Sequence, residues 1–171
     1  GDPTERLRHW LRRMVVGNEI LVPGREDLPV QYIDAADMCG WMIRLLEDGG
    51  GRGPYNAVGA EDPYRAKPML EGIRDATGSS SGLTWVDWEW LRQEQPNVGG
   101  YAPMYGQGPI PFMQVNNDRA LAAGLTFRPI ADTAKDMIAN LDGNVDAIGR
   151  QGRLDLETEA AVLGKWHAEK A

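Results

Sequence analysis

The strongest fold signal in the sequence is Pro29-Val30-Gln31-Tyr32-Ile33-Asp34-Ala35-Ala36-Asp37. Its apolar run Val30–Ile33 is typical of a β-strand, and either aspartate can begin the next helix by accepting free backbone N–H groups. A helix through Leu46 and a second strand at Tyr55–Gly59 complete the pattern. Strand, helix and strand within about 30 residues predict a βαβ unit with a right-handed, parallel connection.

Apolar positions at helical spacing predict a helix near the start of the chain. Asp2 is the expected N-cap, with Pro3 in the first turn and Glu5 in a capping box, and the helix ends near Gly17. Its four arginines fall mainly outside the apolar face, so we expect them either to be solvated or to meet an anionic ligand. The apolar face holds Leu7, Trp10, Leu11, Met14 and Val15, and the arginines are Arg6, Arg8, Arg12 and Arg13.

Short strands and amphipathic helices are predicted to alternate along the rest of the chain. A first strand is expected at Glu19–Val22, and the helix of the βαβ unit is expected to bury an apolar face. That face holds Met38, Trp41, Met42, Leu45 and Leu46; later helices are predicted at Ala66–Thr77, after Asp87, at Asn117–Ala123, at Ala131–Leu141 and after Asp155, and later strands at Leu83–Val86 and Phe112–Val115.

A long irregular stretch at 93–111 is rich in Gly, Pro and Gln and has no period. Loops of that length in a compact domain are usually lids or binding loops. Aromatic rings around such a loop either line an apolar pocket or cover the core, and the sequence leaves both open. These rings belong to Trp85, Trp88, Trp90, Tyr101 and Tyr105.

The composition is that of a globular protein with a net negative charge. Lys and Arg number 18 against 25 Asp and Glu, giving −7, so the long-range field repels nucleic-acid phosphates. Hydrophobic residues make up 42% of the chain, but no apolar run approaches the ~20 residues that a membrane-spanning helix needs. We therefore expect neither a nucleic-acid partner nor a membrane partner.

Cysteine and histidine are too sparse for a disulfide or for a metal centre built on them. Cys39 is the single cysteine, and His9 and His167 lie at opposite ends of the chain, so no metal site is predicted. A lone cysteine is more usual in a reducing compartment, which favours the cytoplasm. Because Cys39 lies between Met38 and Trp41 in the helical apolar pattern, we expect it to be a small buried side chain.

Three segments are similar by letter to common motifs, but the predicted elements or residues around each do not match the motif. Gly78–Gly82 matches the nucleophile elbow by letter, but a helix precedes it and a strand follows, the reverse of what the elbow requires. Gly164 and the following lysine continue into a helix rather than ending a phosphate loop. Gly49–Gly53 precedes a strand and lacks the third glycine of the dinucleotide fingerprint. We therefore expect no cofactor to be bound by this chain alone.

Five segments, in this order, carry a resemblance to a known family: Asp2–Arg6, Pro29–Asp37, Tyr55–Ala57, Asn116–Ala120 and Gly124–Pro129. Together they resemble the C-terminal half of an extended short-chain dehydrogenase/reductase of the NAD-dependent epimerase/dehydratase family. The last helix is similar to the tail of a bacterial reductase-like subgroup. The resemblance implies an α/β fold, with a βαβ remnant of a Rossmann-type sheet and a small substrate-binding subdomain with several amphipathic helices. Residues 1–142 would form this half, and residues 143–171 a linker and a C-terminal amphipathic helix.

The resemblance implies an NAD(P)-dependent oxidoreductase or epimerase whose glycine-rich turn and catalytic Tyr-x-x-x-Lys lie in the other half. In this sequence no tyrosine is followed four residues later by lysine. Since that tyrosine transfers the proton and the lysine holds the ribose, we expect this chain to be inactive alone, with NAD or NADP bound only by a complete enzyme. The expected partner is an N-terminal Rossmann half, in the same or a separate chain, or a second copy of this one. The start at Gly1 without methionine fits that expectation.

The resemblance also implies a substrate and the residues that surround it. Sugar-nucleotide members carry an arginine at the position aligned with Val30, and valine cannot make that charged contact, so we expect a small or apolar carbonyl compound. The expected cavity wall consists of Arg6, Trp10, Asp34, Asn56, Tyr101, Met104 and Tyr105.

A second function stays open beside this one. The chain is then a non-enzymatic, stand-alone binding or interaction module derived from the same fold. A sheet remnant would have unpaired edges and apolar faces, which favour self-association or binding to a partner.

Overall fold

In a computed structural model, the described part of the protein is mixed α/β and mostly helical. The structure describes residues 5–49, 51–60, 64–96, 113–144, 146, 148 and 154–171. No helix in these ranges has the length and apolar character needed to cross a membrane. Within them, the helices are α1 Arg6–Val16, α2 Ala35–Glu47, α3 Ala66–Thr77, α4 Trp88–Glu94, α5 Asp118–Ala122, α6 Ile130–Ile138 and α7 Leu156–Lys170, and the strands are β1 Ile20–Pro23, β2 Pro29–Val30, β3 Tyr64–Arg65 and β4 Leu83–Val86.

Helices with a strong local signal lie where they were predicted. α3 has the predicted bounds. Asp87 caps α4 by accepting the N–H of Trp90 at 2.9 Å, and Asp155 caps α7 by accepting the N–H of Thr158 at 2.7 Å. Both caps satisfy backbone donors that lack a partner within the first helical turn. These predictions are confirmed.

The predicted βαβ unit around α2 is wrong. Tyr55–Gly59 forms no strand, and β2 pairs antiparallel with β3, with Val30 opposite Tyr64. A parallel pair does exist, but it joins β1 to β4, with Ile20 opposite Leu83. The connection between these two strands contains α2 and α3. The structure therefore has two small sheets of two strands each in its described part.

Two further predicted strands are shortened or missing. The strand predicted at Val30–Ile33 is reduced to Pro29–Val30. Of the strand predicted at Phe112–Val115, residues 113–115 form none, and residue 112 lies outside the described ranges. The side-chain amide of Gln31 bonds to the carbonyl and the N–H of Val115, so it replaces part of the backbone pairing between these two segments.

The main core lies between α1, α3, α6 and β1. Trp10, Leu11, Ile20 and Ile73 are completely buried in it. A second cluster packs α4 and α7 against β1 and β4. The predicted apolar face of α1 is confirmed except for Val15, which is 57% exposed.

For two arginines of α1, the prediction that they are solvated or meet a ligand is wrong. Arg12 and Arg13 are 3% and 4% exposed. Nη2 of Arg12 donates to both carboxylate oxygens of Asp142 at 2.9 Å, and Nε of Arg13 donates to Glu159 at 2.8 Å. Buried arginines need such charged partners, and here the chain supplies them from its C-terminal third.

The start of α1 also differs from the prediction. Glu5 is not three residues inside the helix but immediately before it, in a left-handed backbone conformation with φ of 51°. Its side chain makes no capping hydrogen bond and instead pairs with Arg12 at 3.2 Å. The predicted capping residues Asp2 and Pro3 lie outside the described ranges.

Glu159 of α7 links three elements. Its Oε2 accepts from Arg13 of α1, and its Oε1 accepts the backbone N–H of Leu21 in β1 at 2.8 Å. Burial raises the pKa of Glu159, and the guanidinium of Arg13 opposes that rise. The carboxylate thereby takes the place of a neighbouring strand for one backbone donor of β1.

The predicted apolar face of α2 is buried only in part. Trp41 is 3% exposed and Leu45 packs, partly buried, against its cluster, but Met42 and Leu46 are 50% and 77% exposed. Ile43, outside the predicted face, is 56% exposed, and Cys39 is exposed as well. The prediction of a buried Cys39 is therefore wrong, and Met42 and Leu46 depart from the predicted face because no described element packs along this side of the helix.

Candidate functional site

Side-chain amides join three extended segments that no strand connects. Nε2 of Gln31 donates to the carbonyl of Val115 at 2.9 Å, and its Oε1 accepts the N–H of Val115 at 2.7 Å. Nδ2 of Asn56 donates to the carbonyl of Asn116 at 2.8 Å. A primary amide has the same donor and acceptor as the backbone, so it can replace a strand partner.

Asn117 holds the segment that was predicted to be a strand. Its side chain is buried, and Nδ2 lies 2.8 Å, 3.3 Å and 3.1 Å from the carbonyl oxygens of Val58, Gly59 and Ala60. At Gly59, φ is 47° and an added Cβ would lie 2.7 Å from Cγ of Gln31, so only glycine fits. One side chain thus binds the carbonyls that a β-ladder would otherwise use.

Asp34 immediately precedes α2 and is confirmed as its N-cap. Its Oδ1 accepts the N–H of Ala36 at 2.7 Å, and its Oδ2 accepts Oγ1–H of Thr133 in α6 at 2.7 Å. Burial acts to raise the pKa of Asp34, but the hydrogen bonds from Thr133 and Ala36 and the charge of Arg128 outweigh it and lower the pKa. Asp34 is therefore ionised at neutral pH.

Three carboxylates surround the guanidinium of Arg128. Its Nε lies 2.8 Å from Asp37 and 3.9 Å from Asp34, and its Nη1 lies 2.9 Å from Asp136. The backbone N–H of Arg128 also donates to Asp37 at 2.9 Å. The hydrogen bond to Asp37, followed by the charge of Asp34, raises the pKa of Arg128. We call these amide and carboxylate contacts, which join residues 31–37, 55–60, 113–117 and 126–136, the polar junction.

An open cleft of about 520 Å³ lies at the carboxylate end of the polar junction. Phe127 supplies an apolar wall, and Arg128, Lys135 and Asp136 supply charges. The positive charge of Arg128 is compensated by its three carboxylates, and Lys135 pairs with Asp132 at 3.3 Å, so the cleft offers little attraction to a phosphate or diphosphate.

Two tyrosines pack beside the polar junction. The ring centroids of Tyr32 and Tyr64 lie 5.5 Å apart. Burial, with a further contribution from Tyr64, raises the pKa of Tyr32 well above its ordinary value. Tyr32 therefore stays protonated at neutral pH, so that it can donate a hydrogen bond but cannot act as a base.

The predicted cavity residues are divided between different parts of the structure. Asp34 and Asn56 both belong to the polar junction. Arg6 is exposed on the first turn of α1, whereas Trp10 is completely buried in the main core. The remaining three, Tyr101, Met104 and Tyr105, lie outside the described residues.

The tryptophans near the 93–111 loop cover the core. Trp88 is buried in the second cluster, and Trp85 packs against the main core. Trp90 packs edge-on against Trp166 with 4.9 Å between the ring centroids. The sequence left open whether these rings line a pocket or cover the core, and in the structure these three cover the core.

Sequence reasoning did not single out Gln31, Asn117, Arg128 or Thr133 as site residues. Three of them lie inside segments that carry the family resemblance, which is the signal that could have found them. Thr133 lies in none of these segments, and only its 2.7 Å bond to Asp34 reveals it.

Comparisons with protein-family models, curated proteins and solved structures returned no match to this chain.

Proposed function

We propose that this chain is the substrate-binding part of an NAD(P)-dependent oxidoreductase or epimerase of the NAD-dependent epimerase/dehydratase family. The observation that carries the proposal is the polar junction. Hydrogen bonds join four of the five segments that resemble the family into one unit, although they come from three distant parts of the chain: Pro29–Asp37, Tyr55–Ala57, and the neighbouring pair Asn116–Ala120 and Gly124–Pro129. The residues that carry the resemblance are thus also those that organise this region.

A small or apolar carbonyl compound is the substrate class that these residues favour. Val30 is completely buried, so its position offers no charged contact to a diphosphate. Arg128 is occupied by Asp34, Asp37 and Asp136. Neither position supplies the free cation that a sugar nucleotide requires.

The N-terminus of α2 does not fit the diphosphate of a nicotinamide dinucleotide. Its diphosphate binds where a glycine-rich turn leads into the N-terminus of a helix. The N-terminus of α2 carries the ionised Asp34 at its cap and Asp37 in its first turn, which repel a diphosphate. We therefore assign the binding of NAD or NADP to an N-terminal Rossmann half.

The exposed face of α2 is the surface on which we place that half. Met42, Ile43 and Leu46 form an apolar patch on a helix that is anchored on its other side by Trp41. Contiguous apolar surface of this kind is typical of an interaction site.

Cys39 on the same helix is a free, exposed thiol, which supports a reducing compartment such as the cytoplasm.

Co-expression tests the proposal directly. The reading frame upstream of Gly1 is sequenced for a glycine-rich turn and a Tyr-x-x-x-Lys, and the encoded half is produced together with this chain. We expect the two to co-purify and to oxidise NAD(P)H on a panel of small carbonyl compounds. The double variant Met42→Lys with Leu46→Glu should lose the complex, whereas the control Val15→Lys, at an exposed apolar site on α1, should keep it. Absence of both complex and turnover would overturn the proposal.

A stand-alone, non-enzymatic binding module is the second candidate, and the closed main core favours it. Trp10, Leu11, Ile20 and Ile73 are buried without any contribution from another chain. Gel filtration with multi-angle light scattering separates the two functions. A clean monomer that unfolds cooperatively and ignores the Rossmann half supports the module, whereas capture of that half supports the enzyme.

A further inference from the structure

A second cleft, of about 440 Å³, lies between the C-terminal end of α1 and helix α7. Val16, Ala160 and Leu163 form an apolar wall, and Glu19 and His167 lie at its polar side. The residues of this cleft take no part in the polar junction. An apolar wall with a few convergent polar groups is the usual form of a small-molecule site.

Gly164 lines this cleft in the middle of α7 and has no packing reason to be glycine. Glycine is less favourable than alanine inside a helix. The backbone at Gly164 is outside the left-handed region, and an added Cβ would meet no atom within 4 Å. The absence of a side chain at Gly164 leaves open space on the cleft side of α7.

Arg13, which lines the cleft, is already occupied. It donates through Nε to Glu159 at 2.8 Å, and through its two terminal nitrogens to the carbonyls of Gly17 and Glu19 at 2.7 Å and 2.6 Å. Its charge is compensated by the buried carboxylate of Glu159. Among the residues that the structure describes, the cleft therefore has no free guanidinium for an anionic ligand.

The polar side of the cleft offers an acceptor, the carboxylate of Glu19. Oε1 of Glu19 accepts from Oγ1 of Thr84 and from Nε2 of His167, the latter at 2.7 Å, while no donor among the described residues contacts Oε2. Although burial acts to raise the pKa of Glu19, the bonds from Thr84 and His167 lower it, so the carboxylate is ionised. Because an ionised carboxylate only accepts, Nε2 of His167 is the donor in this pair.

We propose that this cleft binds a small primary amine with a short apolar chain, whose ammonium group donates to Oε2 of Glu19 while the chain packs on Val16, Ala160 and Leu163. An ammonium group carries three donors and no acceptor, which matches the ionised carboxylate of Glu19. The net charge of −7 also favours a cation over an anion.

Titration with n-hexylamine, followed by ¹H–¹⁵N NMR on the full chain, tests the proposal. We expect saturable shifts confined to the backbone amides of Asn18, Glu19, Ala160, Gly164 and His167. n-Hexanol and n-hexanoate share the apolar chain but lack the ammonium group, and we expect each to bind at least 10-fold more weakly. Shifts of equal size for hexanoate, or shifts spread over the whole surface, would overturn the proposal.

Two variants and a matched control locate the site. Gly164→Leu fills the open space and should weaken hexylamine binding at least 10-fold, whereas Ala161→Leu, on an exposed position of α7 that does not line the cleft, should bind as the parent does. Glu19→Gln keeps the shape but removes the charge, and should weaken binding by a similar factor. Retention of full affinity by Gly164→Leu, with folding confirmed by its amide spectrum, would contradict the assignment.

Discussion

Nε of Arg13 lies 2.8 Å from Oε2 of Glu159, and 146 residues separate these two buried side chains. The pair joins the first helix of the described chain to the last. Since Glu159 also accepts the N–H of Leu21, its loss would leave a buried guanidinium and a backbone donor of β1 without this acceptor. The stability of the whole domain therefore depends on a contact made by its final helix.

Glu159→Ala should lower the free energy of unfolding by about 3–5 kcal/mol, because it leaves the charge of Arg13 buried without its partner. Urea denaturation measures this difference. Glu157→Ala, an exposed glutamate on the first turn of the same helix, is the control and should change stability by no more than about 0.5 kcal/mol. Equal effects of the two variants would contradict the buried-pair interpretation.

Asn117→Asp should lower the free energy of unfolding by about 1–3 kcal/mol, because a carboxylate cannot donate to the carbonyls of residues 58–60. Thermal and urea denaturation give the magnitude, and hydrogen exchange of the amides in 55–60 reports the local loosening. Asn140→Asp, whose exposed amide donates to one carbonyl, should change stability by less than about 0.5 kcal/mol. If the two asparagines behave alike, the polar junction does not hold this segment.

Acid should destabilise the protein partly through Asp34. Its pKa is lowered in the folded state from the ordinary value of 3.8, so the unfolded chain takes up the proton first as the pH falls. The contribution of Asp34 is therefore present above pH 3.8 and is lost as the pH falls through the folded pKa. Asparagine can still cap α2, so Asp34→Asn removes the charge and keeps the cap.

Urea denaturation at several pH values between about 5 and 2 measures this dependence. Stability should fall less steeply with acid in Asp34→Asn than in the parent. Asp75→Asn changes the net charge equally at an exposed site on α3 and serves as the control. Parallel curves for parent and Asp34→Asn would show that the contacts of Asp34 with Thr133 and Arg128 do not favour its ionised form.

Two positions on α2 should respond differently to the same substitution. Trp41→Ala should cost about 3–5 kcal/mol, because the ring is buried and its Nε1 donates to the carbonyl of Ala123 at 2.8 Å. Leu46→Ala should cost no more than about 0.5 kcal/mol, because the leucine is 77% exposed. Denaturation of the isolated chain measures both. A large loss in Leu46→Ala would mean that this face is covered in solution.

Two helical glycines should respond in opposite directions to alanine. Gly164→Ala should raise the free energy of unfolding by about 0.5–1 kcal/mol, because the new Cβ meets nothing within 4 Å. Gly72→Ala should lower it by about 1–3 kcal/mol, because its Cβ would lie 2.7 Å from Cγ2 of Ile130, where α3 approaches α6. Thermal melting of both variants beside the parent checks the signs.

Local signals predicted the helices better than the strands. The bounds of α3 and the caps Asp87 and Asp155 follow from residues within one or two turns of each other. The strand predicted at Tyr55–Gly59 failed because its carbonyls are bound by Asn117, about 60 residues away. No pattern within the segment itself reveals that partner.

Burial of charge was equally hard to predict. Arg12 and Arg13 look like surface residues when only their helix is considered, since their partners Asp142 and Glu159 lie 130 and 146 residues away. For the site, Asp34 was predictable as a cap because its signal is local. Its partner Thr133 was not, because a single threonine on a distant helix carries no motif.

The parallel pairing of β1 with β4 has a consequence for synthesis. Ile20 pairs with Leu83, so about 60 residues of chain separate the two partners. At ~5–20 residues per second, β1 leaves the ribosome roughly 3–12 s before β4 does. During that time Ile20, Leu21 and Val22, all fully buried in the finished protein, lack the strand with which β1 pairs. This apolar segment of the nascent chain is therefore open to aggregation until β4 has been made.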